Sequence, residues 1–93
     1  MYKNRASGGK LNISGIRIAH LRMSMRPRTS QRMLADQLQL AGLDLDKNAI
    51  SKIELGKRFI TDIELKVIAD FFGVTTDSLL ITKESTYTSN DST

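Results

Sequence analysis

Cysteine is absent from the 93 residues, and histidine occurs once, as His20. Without thiols no disulfide framework forms, and one imidazole is too few for a Cys/His zinc site, so no structural metal and no cofactor are expected. The same scarcity removes a Cys–His pair and leaves only His20 for a Ser–His–Asp relay. No pair of catalytic groups stands at motif spacing, so an enzyme is the weakest reading. His20 falls opposite the apolar stripe of its own segment and reads as a solvated side chain. Long apolar runs are also missing: fragments such as Phe71–Phe72 and Leu79–Leu80–Ile81 fall far below the roughly 18 residues of a membrane span. The start, MYKNRASGGK, carries no apolar stretch of the secretory kind. A cytoplasmic chain without a membrane partner is expected. A single proline, Pro27, stands inside the Arg- and Met-rich stretch 22–28 and argues against a continuous membrane-surface helix there.

Acidic residues are missing from one end. None precedes Asp36, whereas Lys3, Arg5, Lys10, Arg17, Arg22, Arg26, Arg28 and Arg32 all do. Residues 1–60 hold 12 of the 14 Lys and Arg and 4 of the 10 Asp and Glu, so the net charge of +4 is a basic front and an acidic back. That asymmetry points to a polyanion contacted by the N-terminal two thirds, the alternative being a basic surface kept for solubility.

Hydrophobic residues make up 40% and charged residues 26% of the chain, an ordinary globular balance. At this length one core is expected, which excludes a two-domain enzyme. Residues 1–11 read as a flexible basic arm with Gly8–Gly9, and residues 82–93 as a Ser/Thr-rich tail with too little apolar surface to order. Residues 12–81 carry the core. No internal repeat is present.

Within that core, no segment alternates with period 2, and the patterns are helical. Ile18, Leu21 and Met25 make a one-sided stripe for a first helix, about 14–25, ended by Pro27. Ser30 caps a second helix, 31–40, burying Leu34, Leu38 and Ala41, and Gly42 breaks it. Asp46 caps a third, 47–55, with Leu45 and Ile50 as staple and Gly56 as stop. Thr61 and Glu64 form a capping box for a fourth, with Ile60 and Leu65 as staple, a face of Leu65, Ile68, Ala69 and Phe72, and Gly73 as its end. Thr75 caps a short fifth helix that carries Leu79, Leu80 and Ile81, with Val74 and Leu79 as staple. Met23, Met25 and Met33 read as core or loop filler. The expected fold is all-α with five helices.

Helices two and three, joined by a Gly-containing connector, have the outline of a helix-turn-helix. Ile50 and Ile53 point one way from helix three; Lys47, Asn48, Ser51 and Lys52 point the other. Those four are donors of the kind that reach base edges: lysine to guanine, asparagine to adenine, serine to either.

The stretches Ser30–Gln31 with Leu34–Ala35, Ile50–Ser51–Lys52–Ile53–Glu54 with Gly56–Lys57–Arg58, and Phe72–Gly73–Val74 with Leu79–Leu80 resemble the Cro and phage-repressor type of helix-turn-helix family, also called XRE-like. The resemblance runs from about Ser14 to Leu80. It implies a five-helix domain whose third helix enters the major groove of double-stranded DNA, and a sequence-specific transcriptional regulator, a repressor for preference. It implies base contacts at Lys47, Asn48, Ser51 and Lys52, a phosphate bond from Gln31, backbone contacts at Lys57 and Arg58, and a structural ion pair of Arg22 with Glu54. Independently, Arg32 in the first turn of helix two opposes the macrodipole at a cost of about 0.3 to 1 kcal/mol. With Arg28 just upstream, it makes a helix start suited to a phosphate.

The chain departs from the family in two loops. Residues 23–29 are longer than usual, and residues 38–45 exceed a three- to four-residue turn by about five; Leu40, Leu43 and Leu45 are expected to cover that extension. A homodimer on DNA through Leu79, Leu80 and Ile81 is expected. The alternative function is a protein-interaction module, such as an antitoxin-like partner binding through the tail or helix five, with secondary DNA binding.

Overall fold

The computed structural model describes residues 9–81, so most of the expected arm, with Lys3 and Arg5, and the tail 82–93 lie outside the described residues. The fold is all-α: α1 (Gly15–Ser24), α2 (Gln31–Leu40), α3 (Lys47–Glu54), α4 (Asp62–Phe72) and α5 (Thr76–Leu80), with no strand among the described residues.

Four of the helices start on short-range side-chain caps. Ser30 Oγ accepts from Met33 N at 3.1 Å, Asp46 Oδ1 from Ala49 N at 2.8 Å, and Thr75 Oγ1 from Ser78 N at 3.1 Å. Thr61 Oγ1 accepts from Glu64 N at 3.1 Å while Glu64 Oε1 accepts from Thr61 N at 3.0 Å, a complete capping box. Each cap satisfies an amide that the helix cannot, and is worth about 1 kcal/mol.

The helix ends are equally local. At the end of α3, Lys57 N donates to Lys52 O at 2.8 Å and Gly56 N to Ile53 O at 3.0 Å, a Schellman pattern. Gly56 supplies the required left-handed turn with φ 75°. The end of α2 repeats the pattern, and Leu43 N donates to Leu38 O at 2.9 Å, folding Leu43 back onto the core.

α1 starts differently. Ser14 precedes it with helical φ and ψ and makes no side-chain cap bond. The acceptor for Gly15 N is Asn12 Oδ1, at 2.8 Å. Leu11, placed at the end of the arm by sequence, donates its N–H to Gly56 O at 2.8 Å.

The core collects one face of every helix: Ile18 from α1, Leu34 and Leu38 from α2, Ile50 and Ile53 from α3, Ile68 from α4 and Leu79 from α5, all at most 1% exposed. Each such side chain contributes about 1.5 to 3 kcal/mol of burial. α3 packs between α1 and α2, and α4 joins α2 to α5. Leu43 and Leu45 in the α2–α3 connector are buried, so the extension is covered from inside. Leu40 is not part of that cover: it is 89% exposed at the last position of α2. Ala41 is also exposed, because α2 has already ended and the Schellman turn carries the chain inward only at Leu43. Met23 and Met33 are exposed, and Met25 is half-buried.

Candidate nucleic-acid interface

The Asp46 cap and the buried pair Ile50 and Ile53 fix the roll of α3. With that roll, Lys47, Asn48 and Lys52 are exposed and Ser51 is half-exposed on the opposite face. An eight-residue helix is about 12 Å long, short enough for all four donors to face one stretch of a groove.

The head of α2 adjoins the head of α3. A hollow of about 520 Å³ there is lined by Arg22, Arg28, Thr29, Ser30, Gln31, Arg32, Met33 and Lys47. A second, of about 310 Å³, is bordered by Arg32, Asp36, Gln39, Asp46, Lys47 and Asn48. Arg32 and Lys47 border both, so the start of α2 and the start of α3 share one cationic seam. Exposed cations around helix N-termini make a surface complementary to phosphate.

Behind this seam lies a polar knot. Arg22 Nε donates to Glu54 Oε2 at 2.7 Å and Arg22 Nη2 to Glu54 Oε1 at 2.9 Å, a bidentate pair with side chains 14% and 6% exposed. Arg22 Nη1 also donates to Thr29 O at 3.1 Å, and Gln31 Nε2 donates to Glu54 Oε1 at 2.9 Å. One carboxylate therefore binds α1, α2 and α3 together. The hydrogen bond to Glu54 raises the Arg22 guanidinium above its ordinary value, against the opposing effect of burial. Gln31, assigned to a phosphate on resemblance, has one of its two amide protons committed to Glu54.

Lys57 is exposed just past α3, but its neighbour is engaged elsewhere. Arg58 Nη1 and Nη2 donate to Glu64 Oε1 and Oε2 at 3.0 and 3.1 Å, and Nη1 also donates to Phe59 O at 3.0 Å. The Arg58 hydrogen bonds, aided by the Thr61 N–H, hold the Glu64 carboxyl below the usual carboxylate range against the effect of burial. Arg58 thus clasps the capping box of α4. Glu64 has two oxygens, and the local capping signal accounts for only one of them.

Arg28 and Arg32 are exposed at the α2 head. Leu79 is 0% exposed and closes the monomer's own core, so it is no dimer contact: the single turn of α5 points it inward against α4. Leu80 and Ile81, at 36% and 52%, remain at the surface.

Sequence reasoning passed over Asn12 and counted Lys10 only as part of the basic front. Asn12 Nδ2 donates to Ile53 O at 3.0 Å and to Arg58 O at 2.8 Å, and the stem of Lys10 lies against Gly56. An asparagine three residues before Gly15, where α1 begins, was a legible cap signal. Its long-range half was not.

A family model described as Helix-turn-helix matches residues 28–79, more than half of the chain. No curated protein and no solved structure is matched. No helix among the described residues is long and apolar enough to cross a membrane.

Proposed function

Because the chain belongs to the XRE/Cro-like helix-turn-helix family, whose domain implies DNA binding, we propose that it is a sequence-specific regulator of transcription, acting as a repressor by occupying its operator. The observation that carries this reading is the donor and cation surface over the heads of the two helices: Arg28 just before α2, Arg32 in its first turn, and Lys47, Asn48, Ser51 and Lys52 on α3. In the proposed mode α3 lies in the major groove. Its Lys47, Asn48, Ser51 and Lys52 meet base edges, while Arg28, Arg32, the second amide proton of Gln31, and Lys57 meet phosphates. Arg58 acts chiefly through Glu64, holding the connector from which Lys57 extends.

One recognition helix of this length specifies about 4 to 5 base pairs, too short a word against roughly 10⁶ competing sites. A symmetric dimer doubles the word, and Leu80 and Ile81 are the surface proposed for it.

Selection of bound sequences from a random duplex pool, followed by affinity measurements over a salt series, tests the reading. A consensus with inverted repeats and an affinity that falls steeply with salt are expected. Salt-independent or absent duplex binding sinks it and favours the protein-interaction alternative.

A further inference from the structure

We propose that Asn12 is a positioning residue for α3, setting how well the chain discriminates between DNA sequences while leaving its general attraction to DNA unchanged. The inference rests on the DNA-binding reading above. Asn12 is half-buried, and its amide makes three directed hydrogen bonds: Oδ1 accepts from Gly15 N at 2.8 Å, and Nδ2 donates to Ile53 O at 3.0 Å and Arg58 O at 2.8 Å. Both protons of the amide nitrogen are thereby used. Ile53 O also accepts from Gly56 N at 3.0 Å, so its two lone pairs are filled as well. The amide spans the Schellman turn that ends α3, and Leu11 N donating to Gly56 O at 2.8 Å closes the same turn from its other side.

The two ends of α3 are held by different means. Its start is set by the Asp46 cap and the buried Leu45, both local to the α2–α3 connector. Its end is held by the segment leading into α1 through Asn12, and by Arg22 through Glu54. Releasing the Asn12 bonds leaves the start in place and lets the far end swing. Displacement then grows along the helix, so Ser51 and Lys52 move further than Lys47 and Asn48. Hydrogen bonds to base edges weaken steeply with angle and distance, whereas attraction to the phosphate backbone tolerates such shifts.

Asn12→Asp separates the two halves of the clamp. The carboxylate keeps an acceptor for Gly15 N and is favourable at a helix start, but it sets an oxygen where a donor faced the carbonyls of Ile53 and Arg58. Asn12→Ser, a shorter cap without the donors, serves if the aspartate variant does not fold. The full chain is first used to select a consensus from a random duplex pool. Affinities for the consensus and for a scrambled duplex are then compared at a temperature where circular dichroism shows every variant folded. Ile68→Val, a core change in α4 with a similarly lowered thermal midpoint, is the control. The expected result for Asn12→Asp is about a tenfold fall in the ratio of specific to non-specific affinity. The loss is concentrated at the base pairs facing Ser51 and Lys52, the scrambled-duplex affinity and salt slope are unchanged, and the control keeps its ratio. A ratio and consensus retained by Asn12→Asp or Asn12→Ser overturn the clamp alone, as does an equal loss in the control. If the wild-type chain selects no consensus, the DNA reading falls and takes the clamp with it.

Discussion

Gly15 in the first turn of α1 lies against the carbonyl oxygen of Ile53 near the end of α3, so closely that a methyl group on Gly15 would collide with that oxygen and with Asn12 Oδ1. Glycine in a helix ordinarily gives way to alanine with a gain of up to about 1 kcal/mol. Here the backbone contact reverses the sign. Gly15→Ala is expected to destabilise the chain by about 1 to 3 kcal/mol, the range for overpacking against atoms that cannot move aside. Urea unfolding with an unchanged slope and a lower midpoint checks this; a higher midpoint refutes the close approach.

The Arg22–Glu54 pair is nearly enclosed, so breaking it from one side differs from replacing it whole. Arg22→Met leaves a carboxylate, 6% exposed, with only Gln31 as side-chain donor. A loss of about 3 kcal/mol is expected. Adding Glu54→Leu to Arg22→Met should recover a large part of it, because two apolar groups need no partner. A double-mutant cycle by chemical denaturation measures the coupling, and simple additivity of the two losses would show that the groups act independently.

Acid should weaken the junction between the α3–α4 connector and α4. Glu64 titrates below its unfolded value of 4.5, so its ion pair and cap contribute fully above about pH 4.5 and are lost as pH falls through the lower, folded value. Glu64→Gln is expected to lower the thermal midpoint at neutral pH by the equivalent of about 1 to 2 kcal/mol and to flatten the acid limb of the midpoint-against-pH curve. Parallel curves for the two proteins would exclude Glu64 as the titrating group.

Base reading and phosphate binding should separate by residue. Asn48→Ala is expected to relax one adenine position by about 1 to 3 kcal/mol, while Lys57→Ala weakens all duplexes alike and reduces the salt slope by about 1. Arg58→Ala, by contrast, should lower stability through Glu64 before it alters affinity. A consensus unchanged in Asn48→Ala would mean that α3 is docked in another way.

Assembly is tested at Ile81, 52% exposed after α5. Ile81→Asp is expected to abolish paired occupancy of an inverted repeat, half-sites about 34 Å apart, with helical circular dichroism intact. Sedimentation on the selected duplex shows the outcome directly, and a one-to-one wild-type complex on a single half-site would reject the dimer.

Most of the helix boundaries were legible because their causes are local. Ser30, Asp46, Thr61 and Thr75 each bond an amide three residues on, so a window of four residues contains the whole interaction. The five-helix fold and the faces of α2 and α3 follow from the same short-range periodicity. What escaped was long-range or shared. Asn12 reaches Ile53 and Arg58 across more than 40 residues. Arg58 meets a glutamate whose local role was already accounted for, and Leu79 differs from Leu80 only in the angle at which one short turn meets α4. Leu40 was misplaced for a related reason: apolar character was read as burial, although the helix ends just there.

The hub at Asn12 also orders events in time. During synthesis the N-terminal part of the chain emerges first, and the starts of α2, α3 and α4 need only their own next few residues. α1 is made before them, yet two of the acceptors that orient it, the carbonyls of Ile53 and Arg58, are synthesised more than 40 residues after Asn12. The earliest helix is therefore locked only after α2 and α3 have been made. A nascent chain halted within α3 would already carry the capped α2 while α1 still lacked its direction, and that direction would be acquired in one step once the α3–α4 connector had emerged.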